Sequence, residues 1–519
     1  MFIKTMLRRG AYHDSVSLMR TAKELNSFDG VADSAVIMAT AENKRIVRES
    51  GLYGPELDKA GDNDLAVIVK ASTAERAAEA LLKASTLLEK KADRAGASEL
   101  KARGLDAAAA MLPGANLALI SVAGRFAGKL AADCLDRNMN VMLFSDNVPL
   151  ETEIELKKIA LKKGLLVMGP DCGTAIINGV PLAFANSVNR GPIGIAAASG
   201  TGLQEVSVLI SNEGSGISQA VGAGSRDIRV EVGALTLIQG LKALASDPKT
   251  SLIVLISKPS HPAVMKKILR VVRTIRKPVV SVMLGGEAKL QEKKDFYSAR
   301  TLEEAALKAV CLARDGNTHK ARERIFDINT EVQRRAAAGA ETKRKGQRYL
   351  RGLFSGGTFV SEAQLVLRDL IGPLWSNAPL DKRYTLSNPL RPRENSAIDL
   401  GGDEFTVGRP HPMIDYTLRN RMIESEAKKP ETALILLDVV LGYGANPRPL
   451  EDLLPAIRAA FKANNTLSVV ASVTGTETDP QVRSKVAGAL EKAGVLVMPS
   501  NASACRLAGE IIRRVNSKA

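Results

Sequence analysis

Glycine-rich turns that follow short apolar runs are where this chain could do chemistry. Ala198-Ser199-Gly200-Thr201-Gly202 comes directly after the run Ile193–Ala197. Gly200 and Gly202 would let the backbone approach an oxyanion closely, and Ser199 would cap a helix starting near Leu203. The free N–H groups and the positive end of that helix would then face a phosphate held by Ser199, Gly200, Thr201 and Gly202. A capped βα turn without a ligand would use the same residues. Gly442-Tyr443-Gly444-Ala445-Asn446, between the run Ala433–Val439 and Pro447, is a second turn open to the same two readings. Gly475 and Thr476, within Val473–Thr478, form a third. Asp171 and Cys172, within Met168–Gly173, form a fourth, where the thiol could be a nucleophile in acyl transfer or a small buried residue. In Gly408-Arg409-Pro410-His411, Arg409 could bind a substrate carboxylate and His411 could move a proton, or the prolines could simply brace a helix entry.

Histidine is scarce, with His13, His261, His319 and His411 making the full set. Cys134, Cys172, Cys311 and Cys505 stand far apart without a CxxC pair, so no zinc knuckle, other metal site or disulfide framework is expected. No GxxxxGK[ST] loop or other ATP signature occurs. The 519 residues include 72 Lys/Arg and 56 Asp/Glu, a net charge of +16, and 45% are hydrophobic, which excludes a mainly disordered chain. Aromatics make up only 4%, which argues against stacking platforms for nucleic acid, and no nucleic-acid-binding motif accompanies the charge. No run approaches 18 apolar residues and the first ten residues hold no signal core, so a cytoplasmic protein without a membrane partner is expected. The basic balance then suits anionic small-molecule substrates, or a merely soluble surface.

The elements that must position these loops read as α/β throughout. Short Val/Ile/Leu-rich runs, including Leu65–Val69, Leu117–Val122, Val141–Phe144, Leu165–Met168, Ser251–Ile256, Val279–Leu284, Leu467–Val473 and Val495–Met498, alternate with amphipathic stretches. That alternation predicts doubly wound parallel sheets with helices on both faces. Residues 1–95 read as a small α/β domain, 104–190 and 191–316 as two further α/β domains, and 350–519 as a fourth. Between the last two, 317–349 reads as a basic linker, since His319–Arg351 holds ten Lys/Arg against four Asp/Glu.

The arrangement resembles succinyl-CoA synthetase. Leu117–Asn186, with Gly-Pro-Asp-Cys-Gly at 169–173, is similar to the Rossmann-like CoA-binding domain of its α subunit, and Gly191–Arg226, with Ser199-Gly200-Thr201, to that subunit's flavodoxin-like ligase domain. The last domain resembles the flavodoxin-like carboxy-terminal domain of the β subunit through Asp399-Leu400-Gly401-Gly402, Gly442-Tyr443-Gly444 and Thr474-Gly475-Thr476. On the strings GLLVMGPDCGTAIINGVPLAFAN, ASGTG, GGTFVSEA, TVGRPHPMIDYTLRN and LLDVVLGYGAN, the chain is identified as a member of the FdrA family, an α subunit fused to the tail of a β subunit.

The resemblance implies that two helix N-termini, at Ser199–Gly202 and Gly442–Asn446, face each other across a phosphate. It also exposes departures. The phosphohistidine of the synthetases would fall within Gly285–Thr301, which holds no histidine, and Lys258 with Pro259 stands where the glutamate that orients it would fall. The nucleotide-grasping domain is missing, and no glycine-rich CoA loop precedes Leu117. Lys258 would suit a free phosphate or an acyl or carbamoyl phosphate. The FdrA likeness implies a subunit of oxamate carbamoyltransferase in anaerobic allantoin catabolism, acting with companion subunits and without nucleotide. Alternatives are a CoA-dependent ligase or transferase with a separate partner, CoA then being a cofactor, and a non-catalytic metabolite-sensing scaffold. A homo-oligomer is compatible with each.

Overall fold

The computed structural model describes residues 1–519 except 12–14, 50, 63, 95–101, 103, 259, 287–293, 407–409 and 518–519. The amino-terminal unit runs β1 (Phe2–Arg8), α1 (Ser15–Asn26), β2 (Val31–Met38), α2 (Ala41–Glu49), β3 (Leu65–Ala71) and α3 (Ala74–Arg94). β3 lies between β1 and β2, antiparallel to both. Alternate residues of β3 divide its faces: Leu65, Val67 and Val69 meet α1 and α3, whereas Ala66 and Ile68 meet Val47, Leu52 and Leu57. The second unit comprises α4 (Leu105–Met111), β4 (Leu117–Ile120), α5 (Gly124–Asp136), β5 (Asn140–Leu143), α6 (Leu150–Lys163) and β6 (Val167–Met168), with the parallel order β4-β5-β6.

The third unit holds the hairpin β7 (Thr174–Ile177) and β8 (Val180–Ala183), then β9 (Arg190–Ala197), α7 (Gly200–Asn212), β10 (Ile217–Gly222), α8 (Leu235–Ser246), β11 (Leu252–Ser257), α9 (Pro262–Thr274), β12 (Val279–Met283), β13 (Phe296–Ala299) and α10 (Leu302–Asp315). Its sheet order is β13-β12-β11-β9-β10-β7-β8. The hairpin, placed in the second unit by a boundary at 190, therefore extends the third unit's sheet instead, pairing antiparallel to β10. Helices cover both faces, as the alternation predicts: α7 and α10 on one, α8 and α9 on the other.

The 317–349 segment, read as a basic linker, does connect the third and fourth units, and it does so as a helix for most of its length. It forms α11 (His319–Glu341), whose buried Ala321, Ile328, Val332, Ala336 and Ala340 recur at helical spacing beneath the surface charges. Its net charge masks that stripe in the sequence. The fourth unit contains β14 (Tyr349–Phe354), α12 (Gly357–Ile371), β15 (Ser396–Asp399), α13 (Asp403–Thr406), α14 (Thr417–Ala427), β16 (Thr432–Val440), α15 (Pro449–Ala463), β17 (Ser468–Thr474), α16 (Arg483–Lys492), β18 (Leu496–Met498) and α17 (Asn501–Ser517). Its parallel sheet has the order β15-β14-β16-β17-β18.

One hydrophobic core joins the third and fourth units. It passes from Ile195, Val254 and Leu203 through Leu312, Val332 and Ala336 to Phe359, Leu507, Ile511 and Leu350. At the crossing of α11 and α17, a Cβ on Gly339 would lie 3.0 Å from Ile511 Cδ1, so glycine sets the close approach. Three buried carboxylates bridge the same seam. Glu205 accepts hydrogen bonds from Thr474 Oγ1 (2.6 Å) and Asn501 N (2.9 Å). Glu362 accepts from Leu302 N (2.7 Å) and Asn501 Nδ2 (2.8 Å), and Glu303 accepts from Ser500 Oγ (2.5 Å) and pairs with Arg506. Burial pushes Glu205 and Glu362 up to about 7.

Candidate functional site

The carboxyl ends of β9, β11, β14 and β15 meet at this seam, where ligands of open parallel sheets bind. After β9, Ser199 is extended (φ −155°, ψ 117°) and its Oγ accepts from Gly202 N at 3.0 Å, capping α7. The same Oγ lies 2.6 Å from Thr358 Oγ1, in the first turn of α12. A Cβ on Gly356 would come within 2.5 Å of Thr201 Cγ2, so glycine is what lets the two turns touch. Thus the helix start that faces Ser199–Gly202 is Gly356-Gly357-Thr358. No side chain caps α12 at Gly356, so its first amides and positive end point into the seam.

The turn before α12 is held from below. Ser355 N donates to Asp438 Oδ1 (2.7 Å) and Ser355 Oγ to Asp438 Oδ2. Asp438 is buried on β16, its carboxyl raised by burial, with Arg419 Nη1 3.7 Å from Oδ1. Lys258 follows β11, and its Nζ lies 3.7 Å from the place a Gly357 Cβ would take. Among the described residues no carboxylate lies within ion-pair distance of that ammonium. Asp399, at the end of β15, directs Oδ2 at the same spot, where a Gly357 Cβ would run into it. Its Oδ1 accepts from Gly401 N (3.0 Å). Burial pushes Asp399 up to about 6, against the pull of Lys258 and the Gly401 amide and helped by Glu404 and Asp438.

His411 stands beside this group. Its Nδ1 accepts from Met413 N (3.2 Å), which assigns the proton of the neutral ring to Nε2. Nε2 lies 3.0 Å from the Cβ position of Gly401, and the ring centroid is 5.6 Å from that of Phe184. Burial pushes His411 down to about 4, so the ring is neutral at pH 7. Its chemistry there is hydrogen-bond donation from Nε2 rather than the transfer of a cationic proton. Arg409 lies outside the described residues.

The other expected sites are placed elsewhere. The Gly442–Asn446 turn does not face Ser199–Gly202: three of its five amides are engaged with the chain itself. Gly442 N donates to Gln481 Oε1 (3.0 Å), Tyr443 N to Ala185 O (2.8 Å) and Asn446 N to Met413 O (2.8 Å), with Ala445 buried between them. A Cβ on Gly444 would meet Phe184 Cδ1 at 2.9 Å. Thr476 Oγ1 donates to Ser187 O (2.6 Å), its N–H to Asp479 Oδ2 (2.8 Å), and a Cβ on Gly475 would sit 2.6 Å from Leu441 Cδ1. Both turns therefore bolt the 183–187 segment to the fourth unit. Cys172 is buried, donates to Gly222 O (3.3 Å) and is pushed up to about 12 by burial, which leaves no thiolate for acyl transfer at neutral pH. Asp171 adopts a left-handed turn conformation (φ 55°) beside Ser225, whose Oγ donates to it at 3.4 Å.

Comparison with known proteins agrees with this architecture. Residues 353–511 match the family described as CoA-ligase, and residues 1–103 match the AllF heavy metal-associated domain. The chain is 40% identical over 517 residues to the uncharacterized protein YahF of Escherichia coli K12, covering 99% of each. It is 28% identical over 182 residues to the mitochondrial succinate–CoA ligase subunit alpha-2 of Trichomonas vaginalis, covering 34% of this chain and 58% of that one. It is 24% identical over 151 residues to the sulfoacetate–CoA ligase subunit SauD of Bilophila wadsworthia, covering 28% and 50%. A dinucleotide-forming acetyl-coenzyme A synthetase 1 of Ca. Korarchaeum cryptofilum aligns with 16% identity and a TM-score of 0.32 over 78% of this chain and 85% of that one.

The residues present do not fit a heavy metal in the first unit. Residues 1–103 contain no cysteine and a single histidine, His13, so they offer none of the thiolate sets that bind zinc or iron–sulfur clusters. Among the described residues, no group of three His, Cys, Asp or Glu could hold a metal ion. After β4, a Cβ on Gly124 would meet Asn147 O at 2.5 Å, so this glycine serves backbone packing. Among the described residues no helix is long and apolar enough to cross a membrane.

Proposed function

Because this chain belongs to the protein family that includes Escherichia coli YahF, with a CoA-ligase domain as its last unit, we propose that it is an FdrA-type subunit of oxamate carbamoyltransferase. The reaction is oxalurate plus phosphate giving oxamate and carbamoyl phosphate, in anaerobic allantoin breakdown. The observation that carries this reading is the joint at Ser199–Gly202 and Gly356–Thr358, two helix starts brought together beside the Lys258 ammonium. Two positive helix ends and one ammonium suit a dianion such as phosphate. Nothing in the group calls for a nucleotide.

In the proposed step a phosphate oxygen attacks the carbamoyl carbon of oxalurate. The C–N bond breaks, and the departing oxamate nitrogen takes up the proton that the hydrogen phosphate gives up. Lys258 offsets charge on the phosphate, and His411 Nε2–H donates to charge developing on the substrate. The curated relatives named as ligase subunits support a need for companion subunits.

The test is to purify the protein with and without its neighbouring gene products and to assay phosphate-dependent oxalurate cleavage. CoA-dependent ATP hydrolysis and CoA binding are measured alongside. Oxalurate cleavage that requires both phosphate and partners is expected. Low-micromolar CoA binding with CoA-dependent ATP turnover would replace this reading with that of an acyl-CoA ligase, which the CoA-ligase match at 353–511 favours.

A further inference from the structure

Asp399 is out of place in a site built for anions. Its Oδ1 is held by Gly401 N–H, but Oδ2 accepts no hydrogen bond from any described residue. Oδ2 points at Gly357, the first residue of α12, with Lys258 Nζ on the other side of the same spot. Its backbone is fixed as well: Asp399 N donates to Asn377 Oδ1 (2.9 Å), and Asn377 Nδ2 donates to Asp399 O (2.8 Å). The backbone that carries this carboxyl is thus fixed at the end of β15, and Gly401 N–H holds Oδ1 in place.

We propose that Asp399 couples anion binding at this seam to the uptake of one proton. As a carboxylate, Asp399 is itself the anion at the α12 N-terminus and repels a second one. As a carboxylic acid, it turns Oδ2 into a hydroxyl that donates to the incoming anion, while Lys258 becomes available to that anion. The balance is one proton taken from solvent onto Oδ2 for each dianion bound, and one released when it leaves.

The surroundings of Asp399 support this coupling. Lys258, from the end of β11, draws the proton off; Glu404 on α13 and Asp438 on β16 hold it on, as does burial. His411, from the segment before α14, faces the same space through Gly401 but stays neutral well below this range. Asp399 itself is pushed up to about 6, so the exchange falls where a cell's pH can reach it. The inference rests on the anion-site reading above and adds a proton requirement to it.

Sulfate is the probe, because it remains a dianion across the range and adds no titration of its own. Binding to the full chain is measured by calorimetry from pH 5 to 8, in two buffers of different ionisation enthalpy. Wild type should bind more weakly as pH rises, approaching tenfold per unit above 6, and about fifty-fold between pH 6 and 8. Proton uptake should approach one per sulfate near pH 7.5. Asp399→Asn should bind sulfate with a flat profile and no proton uptake. Wild-type binding that is independent of pH, or without proton uptake, overturns the coupling and needs no variant to show it. An unchanged pH slope in a folded Asp399→Asn also overturns it. Sulfate and phosphate that fail to bind at any pH overturn the anion site itself, a different result from binding without coupling.

Discussion

Replacing Lys258 with methionine keeps most of the side chain's length and removes its charge. Nζ lies 3.7 Å from the Cβ position of Gly357, so a phosphate at the α12 N-terminus would sit within direct reach of the ammonium. Two unit charges 4 Å apart at an effective dielectric near 20 interact by about 4 kcal/mol before solvent screening. Lys258 is half-buried rather than enclosed, and exposed pairs retain about 1 kcal/mol or less. An intermediate loss of about 1–2 kcal/mol is expected, which is about five- to thirty-fold in Kd for phosphate. The variant has a second signature. Lys258 lowers the Asp399 carboxyl, so without it that carboxyl moves further above 6 and the pH midpoint of anion binding rises with it. Calorimetric titration of phosphate at several pH values reads both effects. A Kd within twofold of wild type, with an unmoved midpoint, would refute the assignment of Lys258 to the anion.

Glu362 is pushed up to about 7, above the ordinary value of 4.5, so the folded chain binds more protons than the unfolded one between these values. The stability contributed by Glu362 is therefore full below about 4.5 and declines as pH rises through 7; Glu362→Gln should reduce that slope in thermal melts and leave the share of Glu205, which is pushed up to about 7 as well, and an unchanged slope would remove Glu362 from the account. Ile511→Ala should destabilise by about 2–5 kcal/mol, and because the core is shared, the third and fourth units should melt together in calorimetry. Two well-separated transitions for these units in the wild type would sink the shared core. Zinc offered to the full chain alongside a chelator of micromolar affinity should remain on the chelator, since residues 1–103 carry no thiolate; stoichiometric retention on that unit would contradict this.

Much of the scaffold was legible because mostly buried strands are written as unbroken apolar runs. All ten such runs coincide with strands, from β3 to β18, at boundaries within a few residues. The strands that went unread include β7, β8 and β13, of only four residues each, and β14, whose apolar run is broken by Arg351 and Gly352. The helix α11 was hidden by its charge, because a stripe of alanines at 336 and 340 contributes little hydropathy. At the site, Ser199–Gly202 was readable as a capped turn, whereas Gly356-Gly357-Thr358 was overshadowed by the turn at 442–446, which carries the same number of glycines. Both turns present glycines after a strand, and sequence spacing cannot show whether their amides are already engaged. Gln481 and Ala185, which engage those of 442–446, are remote from it in the sequence.

The fusion of two synthetase-like pieces into one chain acquires a physical meaning from the seam. A site made from Ser199 on one unit and Thr358 on the other requires that the units be held in register to within a hydrogen bond. Separate subunits would need a large interface for that and would be subject to dilution. Here α11 leaves the third unit after α10, lies along α17, and delivers the chain to β14. Its 23 residues span about 35 Å at 1.5 Å per residue, and its buried stripe belongs to the same core as Phe359 and Leu507. The connection is thus a packed element, so the two helix starts meet within a single chain without an entropic cost of association. The carboxylates Glu205, Glu303 and Glu362 add direction to that packing, because an apolar core alone would tolerate sliding of one unit over the other, whereas directional hydrogen bonds across the seam fix register. Precision at the anion site therefore depends on residues far from it, and substitutions along α11 or at Asn501 should affect anion affinity through displacement of α12 relative to α7.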